Sequence, residues 1–266
     1  MNISFCFYPE GKKKALTMSY DDGQIHDRRL VDIFNKYGIK GTFHLNTGTL
    51  DTEGFLKASE IKELFKGHEI SIHSVNHPFL TRIPAGVLIE EIIEDRRRLE
   101  ELAAYPVRGM SYPFGEYNDS LLSLLPHLGI EYSRTVQAHG SFRLPENFLT
   151  WHPTCHHDQD ILERYKGFQK PSPWEQMPLF YVWGHSFEFP RNDNWELIEE
   201  FCKIAGGDEN TWYATNLEIM DYIKALRGLK ISVDQKIVYN PSAIPVWIGA
   251  NGETIKIEAG EKKYIN

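Results

Sequence analysis

Two rhythms of hydrophobic and polar positions alternate along most of the chain. Compact apolar runs of strand length are followed by longer stretches in which apolar residues return at helical spacing. Lys14 to Ser19 predicts a buried strand that stops at Asp21-Asp22-Gly23. His26 to Tyr37 carries Leu30, Val31, Ile33 and Phe34 at helical spacing, with Gly38 placed as a C-cap. Ile39 to Asn46 predicts a second strand and Ser59 to Phe65 a short helix closed by Gly67. Glu69 to Ser74 predicts a third strand that delivers His73 at its end. Pro84 opens the longest helix, with Leu88, Ile89, Ile92, Ile93, Leu99 and Leu102 on one face and charges on the other. Val107 to Tyr112 reads as a fourth strand running into Pro113-Phe114-Gly115, and Asn118 caps a helix that ends at Leu128 before Gly129. Ile130 to Val136, Phe148 to Thr154 and Pro178 to Gly184 read as three further strands, the last leading to His185. Asp193 to Ile204 and Leu217 to Leu229 read as helices on either side of an extended Trp212 to Ala214.

Strand and helix in alternation predict a parallel sheet with right-handed crossovers. About seven such units over residues 1–230 fit an α/β fold of the (β/α) barrel type, near the usual ~250 residues. An open doubly wound sheet is the alternative. Residues 231–266 differ: short runs around Val238, Trp247 and Ile255 are separated by Asn240-Pro241, Asn251-Gly252 and Ala259-Gly260. Asn-Gly between such runs signals a hairpin, so this tail reads as a β appendage on the barrel, with Trp247 placed to cover a partner or the groove edge.

Composition narrows the function classes. A net charge of -8 leaves no basic stripe for nucleic acid. Arg96-Arg97-Arg98 lies amid Glu91, Glu94, Asp95, Glu100 and Glu101 and reads as a solvated helix face. Cys6, Cys155 and Cys202 are odd in number and widely spaced, which gives neither a disulfide framework nor a metal knuckle. No G-x-G-x-x-G or P-loop motif supports nucleotide binding. Nor does any run approach the roughly 18 apolar residues of a membrane span, and Met1 to Lys14 lacks the apolar core of a signal peptide. The expectation is a soluble, cytoplasmic protein with no nucleic-acid or membrane partner and an oligomeric state left open.

The chemistry collects at strand ends. Asp21-Asp22, Asn46, His73 and His77, Tyr112-Pro113-Phe114-Gly115, His156-His157 and His185 all fall where a predicted strand finishes, the rim on which barrel active sites are built. Two histidines four apart, closed by Pro78, suit a tight turn from which both rings reach one ion. A carboxylate would complete the three ligands of a catalytic zinc site with an open position. Adjacent carboxylates on an extended chain point to opposite sides, so one of Asp21 and Asp22 serves as ligand and the other as a free base. A hydrogen-bonded histidine pair at a strand end is the plainer reading.

Ser19-Tyr20-Asp21-Asp22-Gly23 resembles the T-F-D-D-G signature of the polysaccharide deacetylases, the NodB-homology carbohydrate esterases. His73-Ser74-Val75-Asn76-His77-Pro78 is similar to their H-[ST]-x-x-H-P motif, Tyr112-Pro113-Phe114-Gly115 to part of their third motif, and Trp183-Gly184-His185 to their late hydrophobic-x-His motif. The resemblance spans roughly Lys14 to His185. It implies a distorted barrel that removes acetyl groups, usually from N-acetylated amino sugars, with one divalent ion: zinc first, with cobalt, nickel or manganese as alternatives. Carried over by position, it implies Asp22, His73 and His77 as metal ligands, Asp21 as general base and His185 as general acid. The Phe114 N–H is then the candidate oxyanion donor, because Pro113 has none. Tyr112, Phe114 and Trp183 are expected at the substrate.

The sequence departs from that family in two places. Ser111 stands where the third motif carries an arginine that orients the catalytic aspartate, and Arg134, at the end of the next strand, is the expected substitute. The fourth motif, an aspartate before a tryptophan, is not recognisable. Trp151-His152-Pro153-Thr154-Cys155-His156-His157-Asp158 has no family explanation. Substrate hydrogen bonding by His156 or His157, packing, and a second metal are its three readings. Other readings of the whole chain are the same metal site acting on O-acetyl esters or cyclic amides, and a catalytically silent carbohydrate-binding barrel.

Overall fold

The structure is a computed structural model that describes residues 3–265; residues 1–2 and 266, the outer ends of the two expected units, lie outside the described residues. In chain order the strands and helices begin with β1 (Ile3–Ser4), which joins the tail, followed by the barrel elements β2 (Lys14–Asp21), α1 (Asp27–Tyr37), β3 (Gly41–Leu45), α2 (Ile61–Leu64), β4 (Glu69–Ile72), α3 (Ala85–Ala103), β5 (Gly109–Ser111), α4 (Asp119–Leu124) and β6 (Tyr132–Arg134). Next come β7 (Cys155–His156), α5 (Ile161–Gln169), β8 (Leu179–His185), α6 (Glu188–Arg191), α7 (Trp195–Ala205), β9 (Thr211–Tyr213) and α8 (Asn216–Arg227). The tail holds β10 (Lys230–Ile231), β11 (Ile237–Tyr239), β12 (Val246–Ala250), β13 (Glu253–Ile257) and β14 (Lys262–Tyr264).

The main sheet runs β6-β5-β4-β3-β2-β8-β7, with β9 beside the start of β2, and every pairing in it is parallel. A doubly wound sheet would reverse its strand order at a switch point. Here five consecutive strands march in one direction and β8 returns beside β2, which is the order of a curling barrel. The gap between β6 and β7 is bridged at Trp151, whose N–H donates to the Ser133 carbonyl and whose carbonyl accepts from the Thr135 N–H, each at 3.0 Å. The sequence expectation of a strand from Phe148 to Thr154 needs correcting. Phe148–Thr150 is a 3₁₀ turn capped by Asn147, Trp151 makes a single bridge to Arg134, and the strand itself is Cys155–His156. Helices α5 and α6 follow β7 and β8 in stretches for which the apolar pattern gave no helix.

Why β2 sits at the centre is plain from its residues. Ala15 to Asp21 are all buried, as a strand covered on both faces requires. Gly38 closes α1 in the left-handed conformation, accepting the role its position predicted. Helix α3 presents Leu88, Ile92 and Leu99 to the core, but Ile89 is exposed, and Glu91 and Asp95 are buried on the same face. The charge run is therefore not wholly solvated. Glu94 and Glu100 take Arg97, Arg98 and Arg96 on the outside, while Glu91 and Asp95 turn inward.

The tail forms two three-stranded sheets, β1-β12-β13 and β10-β11-β14. Asn251-Gly252 is the two-residue turn of the β12–β13 hairpin, both residues at positive φ, with Ala250 paired to Glu253. Val246, Ile248 and Ile257 join Tyr8, Ala15 and Tyr222 in one buried cluster. Because Ala15 lies at the start of β2, the tail packs under the barrel at the end opposite the Asp21 rim. Trp247 contacts Tyr222 there rather than a groove edge.

Candidate active site

Asp21 is the last residue of β2 and its side chain is 3% exposed. The chain then breaks from extended geometry, Asp22 at φ 82° and Gly23 at φ 67°. A left-handed aspartate directly after a strand sends two adjacent carboxylates in different directions: Asp21 stays inside the barrel mouth and Asp22 stands half-buried on its rim.

The loop carrying His73 and His77 is held from three sides. Asn46 Nδ2 donates to the carbonyls of His73 and Ser74 at 2.6 and 2.8 Å. Asp95 Oδ2 accepts from the His73 N–H at 3.1 Å, and its Oδ1 accepts from the Thr47 N–H and hydroxyl. Glu91 accepts from the Asn76 N–H at 2.8 Å and from its side-chain amide at 2.6 Å. These bonds sustain Ser74 and His77 at φ 65° and 54°, conformations that cost on the order of 1–3 kcal/mol each and persist only where the surroundings impose them.

His73 Nδ1 lies 3.0 Å from the Ser111 carbonyl, which fixes the ring and turns Nε2 toward the carboxylates, 3.6 Å from Asp22 Oδ1 and 3.8 Å from Asp21 Oδ2. Asp22, His73 and His77 each offer a ligand atom within 4.8 Å of the others. Two imidazoles and a carboxylate, one imidazole already oriented through its far nitrogen, fit a divalent ion of zinc type.

Asp21 meets a different environment. Arg134, fully buried on β6, forms an ion pair with its Oδ2, and Ser111 Oγ donates to Oδ1 at 3.0 Å. Burial alone would raise the Asp21 carboxyl. The Arg134 guanidinium, with smaller contributions from neighbouring histidines, instead holds it well below the usual carboxylate range. Ser111, which replaces an expected arginine, thus touches both Asp21 and, through Oγ at 2.7 Å, His73 Nδ1.

His185 lies directly across from Asp21 in the β2–β8 register. Burial lowers its basicity, but Glu188, then Asp21 and Asp22, raise it above the ordinary histidine value. Glu188 Oε2 accepts from the His185 N–H at 3.1 Å and lies 3.4 Å from its Nδ1, an ion-pair distance rather than a hydrogen bond. Trp183, half-buried, packs against the Arg134 guanidinium at 4.6 Å and edge-on to His156. Phe114 is half-exposed at φ 58°, stacked on Phe79 at 3.8 Å and edge-on to His77 at 4.4 Å. The two rings make an aromatic shelf beside the histidine pair.

Two expected substrate contacts are displaced. Tyr112 is buried and its hydroxyl donates to the Leu149 carbonyl, because the strand alternation points its ring into the core. His157 is 1% exposed, its ring packed against those of Tyr20 and Phe189. His156 sits nearer the mouth and is 8% exposed. Glu91, Asp95, Ser111 and Glu188 were missed. For Glu91 and Asp95 a signal existed, since each falls at helical spacing from Leu88, Ile92 and Leu99. Glu188 follows His185 by three residues in a stretch without periodicity and gave none.

A hydrolase-type site on a curled parallel barrel is the class that these features define. The family model described as polysaccharide deacetylase matches residues 9–133. The peptidoglycan-N-acetylmuramic acid deacetylase PdaC of Bacillus subtilis (strain 168) is 26% identical over 113 residues, 42% of this chain and 24% of that protein. The aligned part is thus about a quarter of that relative's length. Among solved structures, the Puue allantoinase has a TM-score of 0.66 at 14% identity, covering 82% of this chain and 92% of that one. The family 4 carbohydrate esterase from Streptomyces lividans has a TM-score of 0.50 at 12% identity, covering 76% and 92%. At such identities these two likenesses speak for the fold alone. Over residues 9–133, just under half of its length, the chain is thus similar to the polysaccharide deacetylases.

Proposed function

We propose that this chain hydrolyses the acetamido group of N-acetylated amino sugars, using one divalent ion, zinc first, held by Asp22, His73 and His77. The observation that carries this reading is the unequal treatment of two adjacent carboxylates. Asp21 is buried and ion-paired with Arg134, whereas Asp22 is half-buried beside the histidine pair. One is kept ionised and aimed; the other is left free to ligate.

When bound, the ion supplies Lewis acidity toward the acetyl carbonyl and toward water. Asp21, held as a carboxylate by Arg134 and Ser111, accepts the proton of the attacking water. His185, opposite Asp21 and raised in basicity by Glu188, carries the proton that the leaving nitrogen needs. The C–N bond breaks, acetate keeps the acyl carbon and the sugar keeps a free amine. The Phe114 N–H is the candidate donor to the developing oxyanion, and Trp183 with the Phe79–Phe114 shelf offers faces for the sugar ring.

The test is to measure zinc content and then acetate release from N-acetylglucosamine oligomers, with Asp21→Asn and His185→Ala as controls. Metal content near one or more equivalents, with acetate release abolished in both variants, is the expected result. Bound metal without acetate release would move the reading to a cyclic amide or an O-acetyl ester. Absence of both metal and turnover would leave a silent carbohydrate-binding barrel.

A further inference from the structure

We propose that His156, His157 and Glu188 form a second divalent-metal site, of zinc-type chemistry, beside the Asp21–His185 pair. Neither the family motifs nor the proposed reaction uses these three side chains as ligands; the reaction draws on Glu188 only as the neighbour of His185.

Four observations carry it. The first is spacing. Ligand atoms about 2.0–2.1 Å from a tetrahedral zinc are about 3.3 Å from one another. Glu188 Oε2 is 3.0 Å from His156 Nε2 and 3.4 Å from His157 Nε2, and the three donors lie within 4.8 Å of one another. The second is orientation. His156 Nδ1 is 2.5 Å from Asp158 Oδ1, so a carboxylate holds the far nitrogen and Nε2 faces Glu188, as in a carboxylate–histidine–zinc arrangement. The third is an unmet demand: His157 is 1% exposed, yet neither ring nitrogen has a hydrogen-bond partner. Its Nε2 aims at the Glu188 oxygen without hydrogen-bond geometry, a position that an ion between them satisfies.

The fourth is space made for the ring. A Cβ on Gly184 would sit 2.1 Å from His157 Nδ1, so only glycine at this strand position admits His157 where it lies, against Tyr20 and Phe189. Histidine and carboxylate donors with no thiolate suit zinc and its neighbours, and Cys155, adjacent in sequence, faces the core cluster instead. His185 Nδ1 lies 3.4 Å from the same Glu188 oxygen, which puts the fourth coordination position on the His185 side.

The experiment counts ions. The full chain is stripped with chelator, reloaded with Zn(II), and its metal measured by elemental mass spectrometry. Two equivalents are expected in the parent, one in Glu188→Gln, one in His156→Ala and one in His73→Ala. Circular dichroism and thermal melting confirm that each variant is folded. Titration of the parent with Co(II), followed by visible absorption, gives a second readout needing no substitution, and two saturating steps are expected. A parent with no ion, or one whose ion content is unchanged in Glu188→Gln, overturns the proposal and leaves a hydrogen-bonded cluster. Loss of one ion in His73→Ala and of the other in Glu188→Gln separates the two centres. A single ion that survives His73→Ala and is lost in Glu188→Gln supports this site and refutes the Asp22–His73–His77 one.

Discussion

Arg134 on β6 is ion-paired with Asp21 on β2, although the two strands stand four places apart in the sheet. In a flat sheet four spacings of about 4.8 Å would separate them by about 19 Å, beyond an arginine's reach. The contact exists because the sheet curls, and curling brings a cation from the strand beside Ser111 to the place that Ser111 leaves. Arg134→Ala should therefore lower acetate release by orders of magnitude while metal content stays at the parent level. It should also cost about 3–5 kcal/mol of stability, since Asp21 would be left buried and unpaired. Full activity in a folded variant would remove Arg134 from the site.

The same pair sets a pH dependence. The folded-state pKa of Asp21 is depressed, so its contribution to stability is present above its unfolded value, about 3.9, and is lost as pH falls through the folded one. In Arg134→Met the largest remaining influence on Asp21 is burial, which raises its pKa. The acid limb of kcat/KM should then move to higher pH, and the stability deficit of the variant should shrink as pH is lowered. An acid limb that stays in place would show that a group other than Asp21 is the base.

The buried acids of α3 predict a separation between folding and metal affinity. Asp95→Ala leaves the N–H and hydroxyl of Thr47 without their acceptor, at about 1–3 kcal/mol for each buried group, while the His73 N–H keeps the Leu45 carbonyl at 3.0 Å. Glu91→Ala frees only the Asn76 end of the loop between the histidines. Thermal melting should fall most in Asp95→Ala. Zinc affinity should fall about 10–100-fold in Glu91→Ala with a smaller loss of melting temperature. Equal affinity in parent and Glu91→Ala would mean that the loop holds its shape without α3.

How much of this was legible follows from the range of each interaction. Asp21, Asp22, His73, His77 and His185 were readable because strand ends and local spacing place them, and Arg134 because it ends the strand after Ser111, where the resemblance leads one to expect an arginine. The inward turn of Glu91 and Asp95 was hidden by charge: a glutamate at a core position looks like its solvated neighbours until its partner, an N–H on a distant loop, is known. Cys155–His156 was misplaced because β7 is only two residues long, too short for a period of two to register. Glu188 was invisible, since His156 and His157 lie far upstream in the chain and reach it only once β7 has paired with β8.

Gly184 lies in the interior of β8, paired with Tyr20, where a side chain would ordinarily strengthen the strand. An added methyl would meet His157 Nδ1 at 2.1 Å and Cε1 at 2.6 Å, and the ring is already packed against Tyr20, Phe189 and His156. Gly184→Ala should therefore destabilise by about 1–3 kcal/mol, the usual range for overpacking, and should lower kcat because His185 is the next residue. In a His157→Ala background the clash has no partner. The double-mutant cycle should show the alanine at 184 costing at least 1 kcal/mol less there than in the parent, a coupling within the ~0.5–3 kcal/mol seen for residues in contact. Additive losses in chemical denaturation would mean that β8 rejects the methyl for a reason unrelated to His157.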